Sequence, residues 1–216
     1  MLTNSSIPVR TELLALEPAQ GNIFKKPDAR PGISYTISNA LEFAYFSAVV
    51  NADYDHVNIV NTTFFLDGDI DLTGKAWRPV YAFNNAQRHA VNFDGQGHKI
   101  DAKKQTGIFH IWGNDVTIKN ITFINSRDLA SQGGAIIWNG NYGNVSGCSF
   151  VNNTAGSGGA ISFFSESSSV SGCSFVGNFA AGDGGAILMG VFNSVSGCSF
   201  VGNTADHGKG GAIFME

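Results

Sequence analysis

Ser146-Gly147-Cys148-Ser149-Phe150-Val151-Asn152-Asn153 returns as Ser171-Gly172-Cys173-Ser174-Phe175-Val176-Gly177-Asn178, and again as Ser196-Gly197-Cys198-Ser199-Phe200-Val201-Gly202-Asn203, a period of 25 residues. A second phrase, Gly-Gly-Ala-Ile, is interleaved with it and starts at Gly133, Gly158, Gly184 and Gly210, in steps of 25, 26 and 26. A fixed period in this range is the signature of a solenoid. Each repeat is too small to bury its own apolar face and must do so against the next.

The repeats carry no helical stripe. Val, Ile, Phe and Cys come in short clusters separated by Gly, Ser and Asn, which is the pattern of strands and turns. Aligning the phrases places Ile118, Val145, Val170 and Val195 in one column. Ile121, Cys148, Cys173 and Cys198 form a second, and Phe123, Phe150, Phe175 and Phe200 a third. Between the first two columns sits Asn120, Gly147, Gly172 or Gly197. These residue types tolerate positive φ, so this column is predicted to be a tight corner. In a parallel β-helix, equal positions of successive coils lie about 4.8 Å apart, and each column becomes a ladder of like side chains. Ile136, Ile161, Ile187 and Ile213 are expected to point inward from a third strand, after glycines that let neighbouring chains approach closely. Asn153, Asn178 and Asn203 are expected to stack at the next corner, each amide bonding the coil above.

The period extends backwards. Gln105-Thr106-Gly107-Ile108-Phe109 reads against Gln132-Gly133-Gly134-Ala135-Ile136, and 91–100 and 57–72 supply earlier strands. Roughly six coils from residue 57 onward make a rod of about 30 Å. A solenoid must also cover its ends. Asn39-Ala40-Leu41-Glu42 resembles a capping box, and Leu41, Phe43, Tyr45, Phe46, Val49 and Val50 give a short apolar helix suited to plug the first coil. The expected organisation is therefore an irregular arm over 1–38, a capping helix and loop over 39–56, and a right-handed parallel β-helix over 57–216, an all-β fold. The chain stops inside a repeat, at Gly210-Gly211-Ala212-Ile213-Phe214-Met215-Glu216. A longer protein with further coils or an anchor is expected, and end-to-end self-association through the open C-terminal coil is a candidate contact.

Net charge is −4 and 14% of residues are charged, too mild for a nucleic-acid binder. Beyond Asp128 the basic residue is Lys209 and the acids are Glu166, Asp183, Asp206 and Glu216, so the repeats carry a skin of Ser, Asn, Thr and Gly. No apolar run reaches membrane-spanning length, and Met1-Leu2-Thr3-Asn4 does not begin a signal peptide. An extracellular or cell-surface rod fits this composition, with signal and anchor outside the chain. The spacing of 25 between cysteines matches no short metal-ligand pattern, and in-register parallel neighbours make poor disulfides. The three cysteines read as small buried hydrophobes.

Catalytic chemistry is thinly written. Asp67, Asp69 and Asp71 alternate in Phe65-Leu66-Asp67-Gly68-Asp69-Ile70-Asp71-Leu72, which would put all three on one strand face, where a cation would bind. The same alternation describes a solvated outer face opposite Leu66, Ile70 and Leu72, and this reading is preferred. Asp53, Asp55 and His56 read as a loop. Asp94 reads as a turn cap before His98, and the Asp206–His207 pair as a turn decoration. A glycosidase needs two carboxylates facing one groove, and a lyase needs clustered acids plus a base. The repeats supply neither, so no catalytic residue, cofactor or metal is expected.

The alternation of Gly-Gly-Ala-Ile with Phe150–Asn153, Phe175–Asn178 and Phe200–Asn203 resembles the repeats of chlamydial polymorphic outer-membrane proteins. It is equally similar to the adhesin-like surface proteins of methanogenic archaea. In these, stretches such as Asp69-Ile70-Asp71-Leu72-Thr73-Gly74 followed by 93–100 open the β-helix. The resemblance covers residues 41–216, most strongly after Gly107. It implies a surface-displayed right-handed β-helix, non-catalytic, attaching to a host or neighbouring-cell surface molecule, protein or glycan. The alternatives are a polysaccharide lyase or glycoside hydrolase type of β-helix enzyme, and a purely structural spacer or stalk.

Overall fold

A computed structural model of the chain describes residues 34–52, 61–74, 78–82 and 90–216. The side chains of 48–50, 52 and 82 lie outside this description, as do Asp53, Asp55, His56, Val57 and Ile59. The described residues form a parallel β-solenoid of about six turns with one short helix near its N-terminus.

Its short strands stack into walls that run the length of the rod. The first wall orders Ser34–Ile37, Thr63–Leu66, Asn92–Asp94, Thr117–Lys119, Asn144–Ser146, Ser169–Ser171 and Ser194–Ser196. The second orders Ile70–Asp71, Lys99–Asp101, Thr122–Ile124, Ser149–Val151, Ser174–Val176 and Ser199–Val201. The third orders Val80–Ala82, Phe109–Ile111, Ile136–Trp138, Ile161–Phe163, Ile187–Met189 and Ile213–Met215. A shorter fourth sheet joins Arg127–Gln132, Thr154–Ser157, Phe179–Ala180 and Thr204–Ala205. Every pairing is parallel, so each strand meets its counterpart one coil away.

The lumen is filled by columns. Val145 pairs with Ile118 and Val170, and Val170 with Val195. Ile161 lies between Ile136 and Ile187, and Ile187 pairs with Ile213. The rings of Phe123, Phe150, Phe175 and Phe200 stack at centroid spacings of 5.1, 4.9 and 4.9 Å. These spacings match the inter-strand distance, so stacking and backbone pairing reinforce each other.

The corners follow from backbone conformation. Asn120, Gly147, Gly172 and Gly197 all adopt φ of 55–59°, and turn the chain from the first wall into the second. At the next corner Asn125, Asn152, Gly177 and Gly202 do the same. The asparagine ladder follows directly. Asn178 Oδ1 accepts from the backbone N–H and the amide of Asn153 at 3.0 and 3.1 Å, while Asn178 Nδ2 donates to the carbonyl of Phe150 at 2.9 Å. Asn203 repeats the set one coil on. A buried amide that satisfies a corner N–H and a strand carbonyl removes the penalty those groups would otherwise carry.

The paired glycines before the third wall have separate jobs. Gly158 adopts φ of 58°, which a side chain rarely does. At Gly159 a Cβ would overlap the carbonyl oxygen of Gly185 in the next coil. One glycine turns the chain; the other allows two coils to touch.

The N-terminal helix α1 spans Ala40–Ala52. Asn39 Oδ1 caps it, accepting from Leu41 and Glu42 N–H at 3.0 Å each. The Glu42 carboxylate reaches back to Ser38 N–H at 2.7 Å, one residue earlier than in the usual capping box. Phe43 and Phe46 are fully buried and pack on Phe64, Phe93 and Phe109. Leu41, expected on the plugging face, is exposed instead. The strand Ser34–Ile37 falls within the segment expected to be irregular, and it pairs in parallel with Thr63–Leu66. Thus α1 is inserted between two coils.

Candidate binding surface

The acidic stretch is not one strand. Thr63–Leu66 belongs to the first wall and Ile70–Asp71 to the second, so a corner at Asp67-Gly68-Asp69 separates the three carboxylates. The apolar alternation continues across the bend because Leu66, Ile70 and Leu72 all turn inward. Asp69 accepts from Lys99 N–H at 3.1 Å, and pairs with Lys99 Nζ at 3.2 Å and His98 Nδ1 at 3.4 Å. Asp71 accepts from Thr73 N–H at 2.8 Å and from its hydroxyl, with Lys103 Nζ at 3.3 Å. Lys103 also reaches Asp101 at 2.9 Å, and Lys119 reaches Asp94 at 3.2 Å.

These carboxylates are therefore turn caps held by lysines. Burial alone would raise the carboxyl of Asp94. It is outweighed by the N–H of Gln96, the amide of Asn120 and the Lys119 ammonium, which leave the group below its ordinary value. Asp101 repeats the balance with Lys103 and Asn125. A hydrogen bond to Lys99 N–H lowers Asp69, and the Thr73 hydroxyl lowers Asp71. An acid held ionised by fixed donors is poorly placed to give up a proton to a substrate. Asp94 caps its turn, and Asp206 pairs with His207 at 3.2 Å on an exposed corner.

Beyond this charged end the outward surface changes character. On the first two walls the outward positions from Asn144 to Val201 are Asn144, Ser146, Ser149, Val151 and their equivalents in the next two coils, without a charge. Asn144 donates to Ser169 at 3.0 Å, so amide and hydroxyl meet across coils. Where the two walls join, the glycine-rich corner opens a groove of about 530 Å³ lined by Gly97, Asn120, Thr122, Gly147, Ser149 and Ser174. The cysteine column lies beneath it. Cys148 and Cys173 are buried, Cys198 is half-buried, and all three thiols are free. The Cys173 and Cys198 sulfurs each accept from the cysteine N–H of the preceding coil, that of Cys148 and of Cys173 respectively, at 3.4 Å. The hydrogen bond with Cys173, together with burial, pushes the Cys148 thiol well above its ordinary value.

The third wall carries residues that the sequence reading passed over. Tyr81 stands exposed on it, Trp112 and Phe164 directly after its strands, and Tyr142 and Phe192 at the corner that follows. Isolated aromatics spaced 22–31 residues apart show no pattern until the register places them on successive coils. His110 lies between Tyr81 and Trp112, with ring centroids 5.1 and 5.0 Å away. Burial holds its imidazole below the ordinary value, and Asn139 Nδ2 donates to its Nε2 at 2.9 Å. Among the described residues no group of three His, Cys, Asp or Glu converges as a metal site, and no helix is long and apolar enough to cross a membrane.

Residues 147–163, 172–189 and 197–216 each match the Chlamydia polymorphic membrane protein repeat. No curated protein and no solved structure gives a significant match to the chain. Each match takes in a cysteine corner, a stacked phenylalanine, a ladder asparagine and a Gly-Gly-Ala-Ile turn, the features that build one coil. The chain is a parallel β-helix repeat protein whose C-terminal coils are similar to the Chlamydia polymorphic membrane protein repeat, which fits a surface-associated, adhesin-like protein.

Proposed function

We propose that this protein is a non-catalytic attachment module displayed outside the cell, holding its partner by extended non-covalent contact along its outer walls. The observation that carries this reading is the uncharged outward array from Asn144 to Val201, at one rung per coil over three coils. Such a surface offers many weak hydrogen bonds in fixed register, and solenoids use their extended surfaces for binding in this way. The carboxylates sit at the other end, tied into turns and lysine pairs. The repeat family points the same way, towards a surface-associated protein.

The test uses microspheres coated with the full 216-residue chain, incubated with cultured epithelial cells and with bacterial cells. Attachment well above that of albumin-coated microspheres is the expected result. Background attachment to both would reject the reading and leave the chain as a spacer that carries a binding domain elsewhere.

A further inference from the structure

We propose that the third wall and its following corner form a binding strip for a neutral polysaccharide chain, through Tyr81, Trp112, Tyr142, Phe164 and Phe192. This rests on the attachment reading but uses a different wall from the hydroxyl array. The register puts one of these rings on each of five successive coils, since Val80–Ala82, Phe109–Ile111, Ile136–Trp138, Ile161–Phe163 and Ile187–Met189 are consecutive rungs. Their exposures are 45, 45, 55, 50 and 79% in that order. The rings fall in three columns: Tyr81 alone, Trp112 with Phe164, and Tyr142 with Phe192 at the corner. Within each pair the rungs lie about 10 Å apart along the axis, close to the length of a disaccharide unit.

Folding accounts poorly for these rings. Burial does not require them, because each leaves at least 45% of its surface in solvent, although Tyr81 and Trp112 also pack on His110. Backbone conformation does not either: Tyr142 and Phe192 adopt φ of 59 and 60°. That conformation costs a bulky side chain free energy which glycine would avoid. Equivalent corner positions hold Asp115 and Ser167 at φ of 57 and 58°, so the corner itself does not require an aromatic. Strain at these two exposed rings points to a role in contact rather than in stability.

The surroundings select the ligand. Asn114, Asn139 and Asn141 lie between the rings, held by Asn141 N–H, His110 and Glu166 N–H respectively, with their remaining amide valences to offer, and glycines at 113, 140 and 190 keep the strip low. The apolar surface is therefore broken into separate plates with amide donors and acceptors between them, unlike the contiguous apolar centre of a protein interface. A pyranose chain matches this arrangement, with C–H faces to lie on rings and a rim of hydroxyls to meet amides. Arg78 precedes Tyr81 on the first rung, but no Lys or Arg occurs in 109–116, 136–144, 161–169 or 187–194, while Asp115 and Glu166 do. Along those four later rungs an anionic polymer would meet no countercharge.

The full chain is tested for retention on insoluble cellulose, chitin and curdlan, with affinities read by titrating cellohexaose, chitohexaose and laminarihexaose. Retention on at least one is expected. Tyr142→Gly and Phe192→Gly should each weaken that binding roughly tenfold, the order of a lost stacking contact. Both variants relieve the positive-φ strain, so the same proteins should unfold at equal or higher denaturant concentration. Loss of binding with preserved stability cannot then be a folding defect. No retention on any of the three polymers would overturn the proposal, as would retention that both variants leave unchanged. Self-association of the chain that Phe192→Gly dissolves would also overturn it and assign the strip to a second copy. Microsphere attachment that survives without polysaccharide binding would reject this strip and leave the attachment reading standing. Polysaccharide retention without cell attachment would do the reverse.

Discussion

Phe175 lies between Phe150 and Phe200, both rings 4.9 Å away and within 4° of parallel, and it is fully buried. Truncation removes stacking on two sides in a lumen whose neighbours are fixed by strand pairing and cannot collapse inward. Phe175→Ala should therefore cost on the order of 3–5 kcal/mol in urea unfolding; a loss under about 1 kcal/mol would mean the ring is not stacked inside. The glycines make a sharper contrast. Gly159→Ala forces a methyl against the Gly185 carbonyl of the next coil and should cost on the order of 3 kcal/mol. Gly172 has nothing within 4 Å of the added carbon, but its φ is 59°, so Gly172→Ala should lose only the conformational term of about 1–2 kcal/mol. Equal losses at the two positions would contradict the close approach of the coils.

At the scale of the element, each corner couples backbone conformation to a buried side chain. The cysteine corner places a positive-φ residue on the outside and a thiol beneath it that accepts from the coil before. Cys148 is closed off and its thiol is pushed up, while Cys198 is half-buried. Native alkylation with iodoacetamide at pH 8 should modify Cys198 first, and Cys148 only at the rate of coil opening. Mass spectrometry of the labelled peptides reads the order directly, and early labelling of Cys148 would sink it. The strands of the repeats were legible in sequence because each column is one residue type, Phe150, Phe175 and Phe200 above all. The break between Leu66 and Ile70 was not legible. Its inward residues keep an even spacing through the bend, and spacing alone does not distinguish a strand from a corner.

Across the whole molecule the two ends are held differently. The early coils rely on Asp69, Asp71, Asp94 and Asp101 with their lysines, and the later ones on phenylalanine stacks and the asparagine ladder. All four carboxyls lie below their ordinary value of 3.8 in the fold. A carboxyl lowered by folding contributes stability at pH above its unfolded value, and that contribution is lost as the pH falls through the folded value. Below about pH 4 the coils from Asn92 to Asn125 should therefore open before those from Asn144 to Val201, as expected of a solenoid in which neighbours couple only locally. Amide hydrogen exchange at pH 3 should show protection lost first in residues 92–125; uniform loss along the rod would contradict it.

The sequence alone determined the repeat length, the stacking columns, the asparagine corners and a helix beside the first coils, because each of these is a local pattern repeated at constant period. It did not place Asp67, Asp69 and Asp71 on their corner, pair Ser34–Ile37 with Thr63–Leu66, or align Tyr81, Trp112, Tyr142, Phe164 and Phe192. Those relations depend on coil lengths that vary around the corners, and only the register of the folded rungs adds up the insertions. The columns were readable because like residues stack on like. The aromatic strip became visible only when parallel pairing brought residues far apart in sequence to successive coils of one wall and its corner.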